Sequence, residues 1–167
     1  MIALLVAFLL AMQTGELPPF SERVMVLLFV RTDCPVSNRY APEIQRIEQR
    51  FHKQGVVFRL VYPEAGATEE SIERHRHEYR YSIPGVADPK HLYVARAGVH
   101  VTPEAAVFVR GRLVYRGRID NQYVSVGQSR STPSMHDLED ALAAAVAGNA
   151  PRASRTESVG CAIEPLR

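Results

Sequence analysis

A continuous apolar run, VMVLLFV, spans Val24 to Val30, and a second run, VVFRLVY, spans Val56 to Tyr62. Runs of this length, rich in β-branched and aromatic residues, are typical of strands buried on both faces of a sheet. Between them, Ile44, Ile47 and Phe51 recur at helical spacing. The pattern predicts a parallel β-α-β unit with a right-handed crossover.

The rest of the chain continues the alternation of helices and strands. The predicted elements are a charged surface helix capped by Thr68 or a neighbouring residue, a short helix ending near Gly98, strands 105–109 and 113–116 joined at Gly111-Arg112, and a last helix that Thr132-Pro133-Ser134 begins. The order is therefore β-α-β-α-α-β-β-α. This order predicts an α/β fold with a central mixed sheet flanked by helices.

The two ends of the chain differ from its middle. Residues 1–12, MIALLVAFLLAM, are apolar but too short for a comfortable membrane span, which favours a secretory signal peptide over a first strand or an amphipathic cover. We divide the chain into a signal peptide or N-terminal apolar segment (1–19), a domain (20–148) and an extended tail carrying Cys161 (149–167). The expectation is an exported protein, periplasmic or otherwise extracytoplasmic, with no stable membrane span.

Composition narrows the function classes. The 167 residues fit one domain, and the net charge of +2 comes without a block of Lys or Arg. These features give no electrostatic case for nucleic-acid binding. An exported chain would hold its two cysteines, Cys34 and Cys161, where disulfides persist.

Cys34 lies at the junction between the first strand and the helix that follows it, between Asp33 and Pro35. Unpaired N–H groups at a helix start favour an anion, so this position favours the thiolate, which is the reactive form of cysteine. An ordinary buried cysteine in the core is the alternative.

The chain resembles the thioredoxin fold, and specifically redoxin domains of the alkyl-hydroperoxide-reductase/thiol-specific-antioxidant type. The resemblance covers residues 23–148 and extends to a group of exported bacterial proteins with a CPxSNRYAPEI block and a C-terminal GCxI block. The matching segments are Cys34 to Ile44, His75 to Tyr79 (HxxEY), Thr102 to Glu104 (TPE), Tyr115 to Asp120 (YRGRID) and Gly160 to Ile163.

The resemblance implies a thiol-disulfide oxidoreductase or a thiol-dependent antioxidant without a cofactor, with Cys34 as nucleophile. Its partner would be a thiol or disulfide protein or a small peroxide. Pro103 would be cis and pack against the cysteine, and Thr102 would present backbone groups to the partner's sulfur. Arg116 near Cys34 would favour the thiolate; a solvated strand end or an internal Arg–Asp pair is the alternative.

Two departures from known active sites weaken a simple assignment. Ser37 occupies the position of the second thiol of a thioredoxin-type site, so Cys34 cannot resolve a mixed disulfide with it. Thr32-Asp33-Cys34 is one residue short of the peroxiredoxin-type Thr-x-x-Cys, and an ionised Asp33 opposes a nearby thiolate.

Cys161 offers the missing thiol. A fully extended tail from Asn149 spans about 40 Å, enough to bring Cys161 back over Cys34. A Cys34–Cys161 disulfide would supply the resolving step. A purely structural bridge and two unpaired thiols remain the alternatives.

Two other function classes use the same residues. Thioredoxin-fold copper chaperones of the Sco type bind copper through two cysteines and a distant histidine, which here would be Cys34, Cys161 and His75. The third class is a non-catalytic interaction domain in which a disulfide between the two cysteines only fastens the tail to the domain.

Overall fold

The computed structural model describes residues 20–166. The strands are β1 (Val24–Phe29), β2 (Val56–Tyr62), β3 (Gly85–Ala87), β4 (Val101–Thr102), β5 (Glu104–Val109), β6 (Arg112–Gly117), β7 (Tyr123–Ser125), β8 (Gln128–Ser129) and β9 (Cys161–Ala162). The helices are α1 (Pro35–Arg39), α2 (Ala41–His52), α3 (Glu69–Glu78), α4 (Leu92–Ala97) and α5 (Asp137–Val146).

The main sheet has the strand order β3-β2-β1-β5-β6. At its centre, Val26 of β1 pairs with Phe58 of the parallel β2 and with Val107 of the antiparallel β5. Strands β5 and β6 form an antiparallel hairpin. The predicted mixed sheet, its β-α-β unit and its hairpin are therefore confirmed.

Strand β1 is buried on both faces, as its apolar run predicts. Its residues Val24, Val26 and Leu28 belong to one core cluster, which includes buried side chains of α2 and α5. Its alternate residues Met25 and Leu27 belong to a second cluster on the opposite face, with residues of β5 and α4. Because successive side chains of a strand point to opposite faces of the sheet, the one strand contributes side chains to both core clusters.

The helix boundaries follow local capping. Thr68 caps α3 as predicted, because its hydroxyl accepts from the Ser71 N–H while the Ser71 hydroxyl accepts from the Thr68 N–H. The last helix begins at Asp137, so the predicted start at Thr132-Pro133-Ser134 is wrong. The backbone N–H groups of Ser134 and Met135 donate instead to the Asn121 side chain, which holds this segment as a loop.

Several elements of two or three residues, including β4 and β9, carry no periodic signal in the sequence. The predicted signal peptide at residues 1–19 lies outside the described residues. Between residues 20 and 166, no helix is both long and apolar enough to cross a bilayer.

Candidate functional site

Cys34 and Cys161 form a disulfide at the carboxyl end of β1. The two residues are 127 positions apart in the chain, and their Cα atoms are 6.1 Å apart, within the usual range for a disulfide. The structure therefore brings together the two cysteines whose relationship the sequence leaves open.

Cys34 is the deeper member of the pair. It precedes α1 as the N-cap residue, and only 1% of its surface is exposed. Its Sγ lies 3.2 Å from the carbonyl oxygen of Thr102, and the Thr102–Pro103 peptide bond is cis. In the dithiol form, the Cys34 S–H can donate a hydrogen bond to this carbonyl.

The tail reaches Cys34 by pairing with the short strand β4. Thr102 and Cys161 are opposite each other in an antiparallel bridge. The Thr102 hydroxyl donates to the carbonyl of Cys161 at 3.4 Å, and the Ile163 N–H donates to the carbonyl of His100 at 2.9 Å. Backbone pairing thus places Cys161 beside the cis peptide.

Gly160 lets the tail lie flat on this peptide. A Cβ at Gly160 would overlap the Thr102 carbonyl oxygen and would lie 2.6 Å from the Thr102 carbonyl carbon and 3.1 Å from the Pro103 nitrogen. Those distances are shorter than van der Waals contact, and the groups met are backbone, which cannot rotate away. Only glycine fits at position 160 while the tail is docked.

A second anchor holds the tail to the end of β6. The Thr156 hydroxyl is 2.7 Å from the Tyr115 hydroxyl and accepts from the Arg118 N–H at 3.1 Å. Since Tyr115 donates its only proton to the Arg118 carbonyl, the Thr156 hydroxyl is the donor to Tyr115. Gly117 leaves the space: a Cβ there would lie 2.6 Å from the Thr156 carbonyl oxygen.

Asp33 is paired with Arg31 at the protein surface. Its carboxylate forms a two-pronged ion pair with Arg31, at 3.0 Å for each contact, and 67% of its side chain is exposed. Arg31 also donates to the carbonyl of Ala162 at 3.2 Å, so it links the cysteine loop to the tail. Sequence reasoning missed Arg31; its only signal is its place two residues before Asp33.

The other residues of the CPVS segment are structural in this state. Pro35 is the first residue of α1, where its missing N–H is not needed. Ser37 is completely buried, and its hydroxyl finds no hydrogen-bond partner among residues 20–166. It lies one turn beyond Cys34 and offers no thiol.

Arg116 supports the tail through its backbone. Its N–H donates to the Ser154 carbonyl and its carbonyl accepts from the Thr156 N–H, each at 3.0 Å. Its guanidinium lies against Gly98, where it would overlap an added Cβ. We therefore place Arg116 among the groups that dock the tail.

Glu104 is a further residue that sequence reasoning did not single out. It is buried, and its carboxylate accepts from the N–H groups of His100 at 2.9 Å and Val101 at 3.4 Å. These bonds fix the loop that leads into the cis peptide. Its signal was the third position of the Thr-Pro-Glu block.

His75 is buried, although the sequence predicts a charged surface helix around it. Its Nε2 lies 2.9 Å from the Asn38 Oδ1, and its Nδ1 lies 2.9 Å from the Tyr62 hydroxyl. The Asn38 amide N–H₂ donates to the Thr32 carbonyl, so Oδ1 is the acceptor facing His75. His75 is therefore protonated on Nε2, accepts from Tyr62 on Nδ1, and helps hold the loop before Cys34.

The copper set is not assembled in this structure. Burial lowers the pKa of His75, although the nearby negative charges of Glu64 and Glu78 act to raise it. Both ring nitrogens already take part in hydrogen bonds, with Tyr62 and Asn38. Cys34 and Cys161 are joined to each other and offer no thiolate. Without a change of redox state and of hydrogen bonding, these three residues do not form a metal site.

Within the described part of the chain, the metal-type donors that do cluster are Glu43, His136 and Glu139, within 4.8 Å of one another. Arg46 bridges both carboxylates at 2.5 to 2.6 Å, and Arg50 binds Glu139 at 2.7 Å. Burial by itself would raise the pKa of Glu139, but the hydrogen bonds from the two arginines lower it. The cluster is an ion-pair network between helices.

No family model matches the chain, and no curated protein matches its sequence. Solved structures do match. An uncharacterized conserved protein from Geobacillus kaustophilus is 22% identical, with a TM-score of 0.75 over 87% of this chain and 79% of that one. A hypothetical protein from Sinorhizobium meliloti is 20% identical, with a TM-score of 0.74 over 87% and 81%.

A third match names its fold. The thioredoxin domain of a thiol-disulfide oxidoreductase from Bacteroides vulgatus is 16% identical, with a TM-score of 0.50 over 58% of this chain and 71% of that one. The fold is thioredoxin-like. This confirms the fold that the resemblance implies, and at these identities the likeness concerns the fold alone.

Proposed function

We propose that this protein is a thiol-disulfide oxidoreductase that cycles Cys34 and Cys161 between a disulfide and a dithiol. The observation that carries the proposal is the pairing itself. The only two cysteines of the chain meet across 127 residues, at a strand end and beside a cis proline. A thiol-disulfide oxidoreductase domain from Bacteroides vulgatus is built on the same fold, so the fold is compatible with this chemistry.

In the dithiol form, the Cys34 thiolate attacks one sulfur of a partner's disulfide and forms a mixed disulfide, and the partner's other sulfur leaves as a thiolate. The Cys161 thiolate then attacks the Cys34 Sγ. This step closes the internal disulfide and releases the partner's second thiolate, so the partner gains two electrons and this protein loses two. Ser37 cannot take this part, so Cys161 is the resolving thiol.

The proposed partner is a protein with an extended segment around its cysteine. When the tail leaves β4, the backbone groups of Thr102 that now pair with Cys161 become available. An extended segment can pair with this edge as the tail does, which is a common mode of peptide recognition. Pro103 and Thr102 would then shape the site for the partner as they now do for Cys161.

Peroxide reduction receives less support from the geometry. The Thr32 hydroxyl, two residues before Cys34, donates to the Glu64 carboxylate at 3.0 Å. The guanidinium of Arg31 is paired with Asp33. Neither group is free to orient a peroxide at Cys34, so we propose disulfide exchange with proteins as the main activity.

We also propose that the protein is exported. The disulfide needs an oxidising compartment to persist, and residues 1–12 have the length and character of a signal-peptide core. The test is to locate the protein in a bacterial expression host by cell fractionation and to determine the N-terminus of the exported form. Retention in the cytoplasm with residues 1–19 intact would contradict this part.

A second candidate is a purely structural staple. The Thr156 anchor holds the tail independently of the disulfide, which a stapled interaction domain would also show. The two candidates differ in reduction potential. Exchanging pairs lie at about −270 to −120 mV, whereas structural disulfides lie below about −300 mV.

The test is to equilibrate the protein in thiol redox buffers and to count free thiols by alkylation and mass spectrometry. The same samples are then assayed for reduction of a protein disulfide, with Cys34→Ser, Cys161→Ser and the buried Ser37→Ala for comparison. We expect a potential in the exchanging range and activity that both cysteine variants lose and Ser37→Ala keeps. A potential below about −300 mV without activity would favour the staple.

A further inference from the structure

The two sulfurs of the disulfide differ in their access to solvent. Cys34 is 1% exposed, lies under the docked tail and belongs to the main core cluster. Cys161 lies on β9 at the surface of the domain and is only half-buried. A thiol arriving from solvent therefore meets Cys161 before it meets Cys34.

The direction of attack strengthens this difference. A thiolate attacks a disulfide sulfur in line with the S–S bond, from the side opposite the sulfur that leaves. Cys34 is 1% exposed and packs in the main core cluster, so that side is closed to a thiol arriving from solvent. At Cys161 the in-line side is the one opposite Cys34, and Cys161 is only half-buried.

We propose that the thiol that reduces this protein attacks the Sγ of Cys161, and that Cys34 is the leaving group. The inference rests on the proposed function and assigns the entry point of its electron donor. In the first step, a donor thiolate bonds to the Cys161 Sγ, the Cys34–Cys161 bond breaks, and its electron pair leaves on the Cys34 sulfur. In the second step, another donor thiolate attacks the donor sulfur of the mixed disulfide, which produces the donor disulfide and the Cys161 thiolate.

This order gives the two cysteines separate roles in the two halves of the cycle. Reduction enters through the tail, which loses its covalent tie to the domain in the first step. Release of the tail then uncovers Cys34 and the β4 edge, so that Cys34 can attack the oxidised partner. The donor contacts the tail around Cys161, and the oxidised partner contacts the β4 edge that the tail vacates.

The experiment uses the oxidised wild-type chain and a small monothiol, 2-mercaptoethanol, in excess. Samples are quenched with acid at increasing times, and free thiols are then blocked with N-ethylmaleimide. Trypsin places the two cysteines on different peptides, residues 32–39 and residues 156–167, because cleavage follows Arg31, Arg39 and Arg155. Mass spectrometry shows which peptide carries the 2-mercaptoethanol adduct and which carries the maleimide.

The expected result, extrapolated to zero time to exclude rearrangement, is an adduct on Cys161 that exceeds the adduct on Cys34 by about tenfold, equivalent to about 1.4 kcal/mol in the barrier. The control is the same oxidised chain unfolded in guanidinium chloride, where the docked tail no longer shields Cys34 and the ratio should fall towards one.

The alternative outcomes separate the two proposals. An initial adduct mainly on Cys34, or a ratio in the folded protein equal to that of the unfolded chain, would overturn the inference and leave the redox function standing. A folded disulfide that forms no adduct while the unfolded one reacts would overturn the proposed function and the inference together.

Discussion

Replacing Gly160 by alanine tests whether the tail docks only in the oxidised state. The new Cβ would overlap the carbonyl group of Thr102 and approach the Pro103 nitrogen to 3.1 Å. Thr102 is fully buried and Glu104 holds the loop that leads into it, so the loop cannot yield freely. The tail must shift, which weakens the bridge between Thr102 and Cys161.

Overpacking of a well-packed site costs about 1 to 3 kcal/mol. In the dithiol form the end of the tail beyond the Thr156 anchor, which includes Gly160, is free to leave β4, and the overlap disappears. The penalty therefore falls on the oxidised form alone and makes the disulfide easier to reduce. For a two-electron couple, 1 to 3 kcal/mol corresponds to a reduction potential about 20 to 65 mV less negative.

The assay is the redox-buffer titration of free thiols, run on wild type, Gly160→Ala and Gly66→Ala. Gly66 is the matched control, because a Cβ there meets nothing within 4 Å and its backbone is not in the left-handed region. Gly66→Ala should titrate like wild type. An unchanged potential in Gly160→Ala, together with reduced stability of both redox forms, would show that the tail stays docked after reduction and would refute the reasoning.

Three further predictions concern the groups around the site. Thr156→Val removes two hydrogen bonds of the tail, worth about 1 kcal/mol each, so trypsin should cleave the tail of the oxidised protein faster, while Thr156→Ser should behave like wild type. Burial lowers the pKa of His75, so as the pH falls the imidazole of the unfolded chain is protonated before that of the folded chain. The stability that neutral His75 contributes is complete above about pH 6.5 and is lost as the pH falls through the folded-state pKa. His75→Gln should flatten the dependence of the free energy of unfolding on pH in this range, measured by urea unfolding at a series of pH values. Tyr40→Phe removes the 2.5 Å hydrogen bond to buried Asp120 and should lower the free energy of unfolding by about 1.5 to 3 kcal/mol in urea.

Each of these has a contrary result. Equal tryptic cleavage of Thr156→Val and wild type would mean that the disulfide alone holds the tail. An unchanged dependence of stability on pH in His75→Gln would mean that other groups carry the acid sensitivity. Full stability of Tyr40→Phe would mean that Asp120 finds another partner when the phenol is gone.

The amino-acid sequence by itself determined four of the five strands of the main sheet and most of the helices that flank it, but not the three-residue edge strand β3. The run from Val24 to Val30 predicts a strand buried on both faces, and the spacing of Ile44, Ile47 and Phe51 predicts the helix that follows. Both are periodicities that each segment carries alone. The cap at Thr68 is equally local, because its partner is three residues away.

The tertiary structure decided the site. Local spacing cannot show that Cys161 pairs with Cys34, since 127 residues separate them and the strand that joins them is two residues long. It also cannot show that His75 is buried, because that depends on Tyr62 and Asn38 arriving from other elements. In the sequence Gly160 is indistinguishable from an ordinary loop glycine, and only the structure shows that the Thr102 carbonyl packs against it. These features are contacts between distant segments, and only the folded chain brings those segments together.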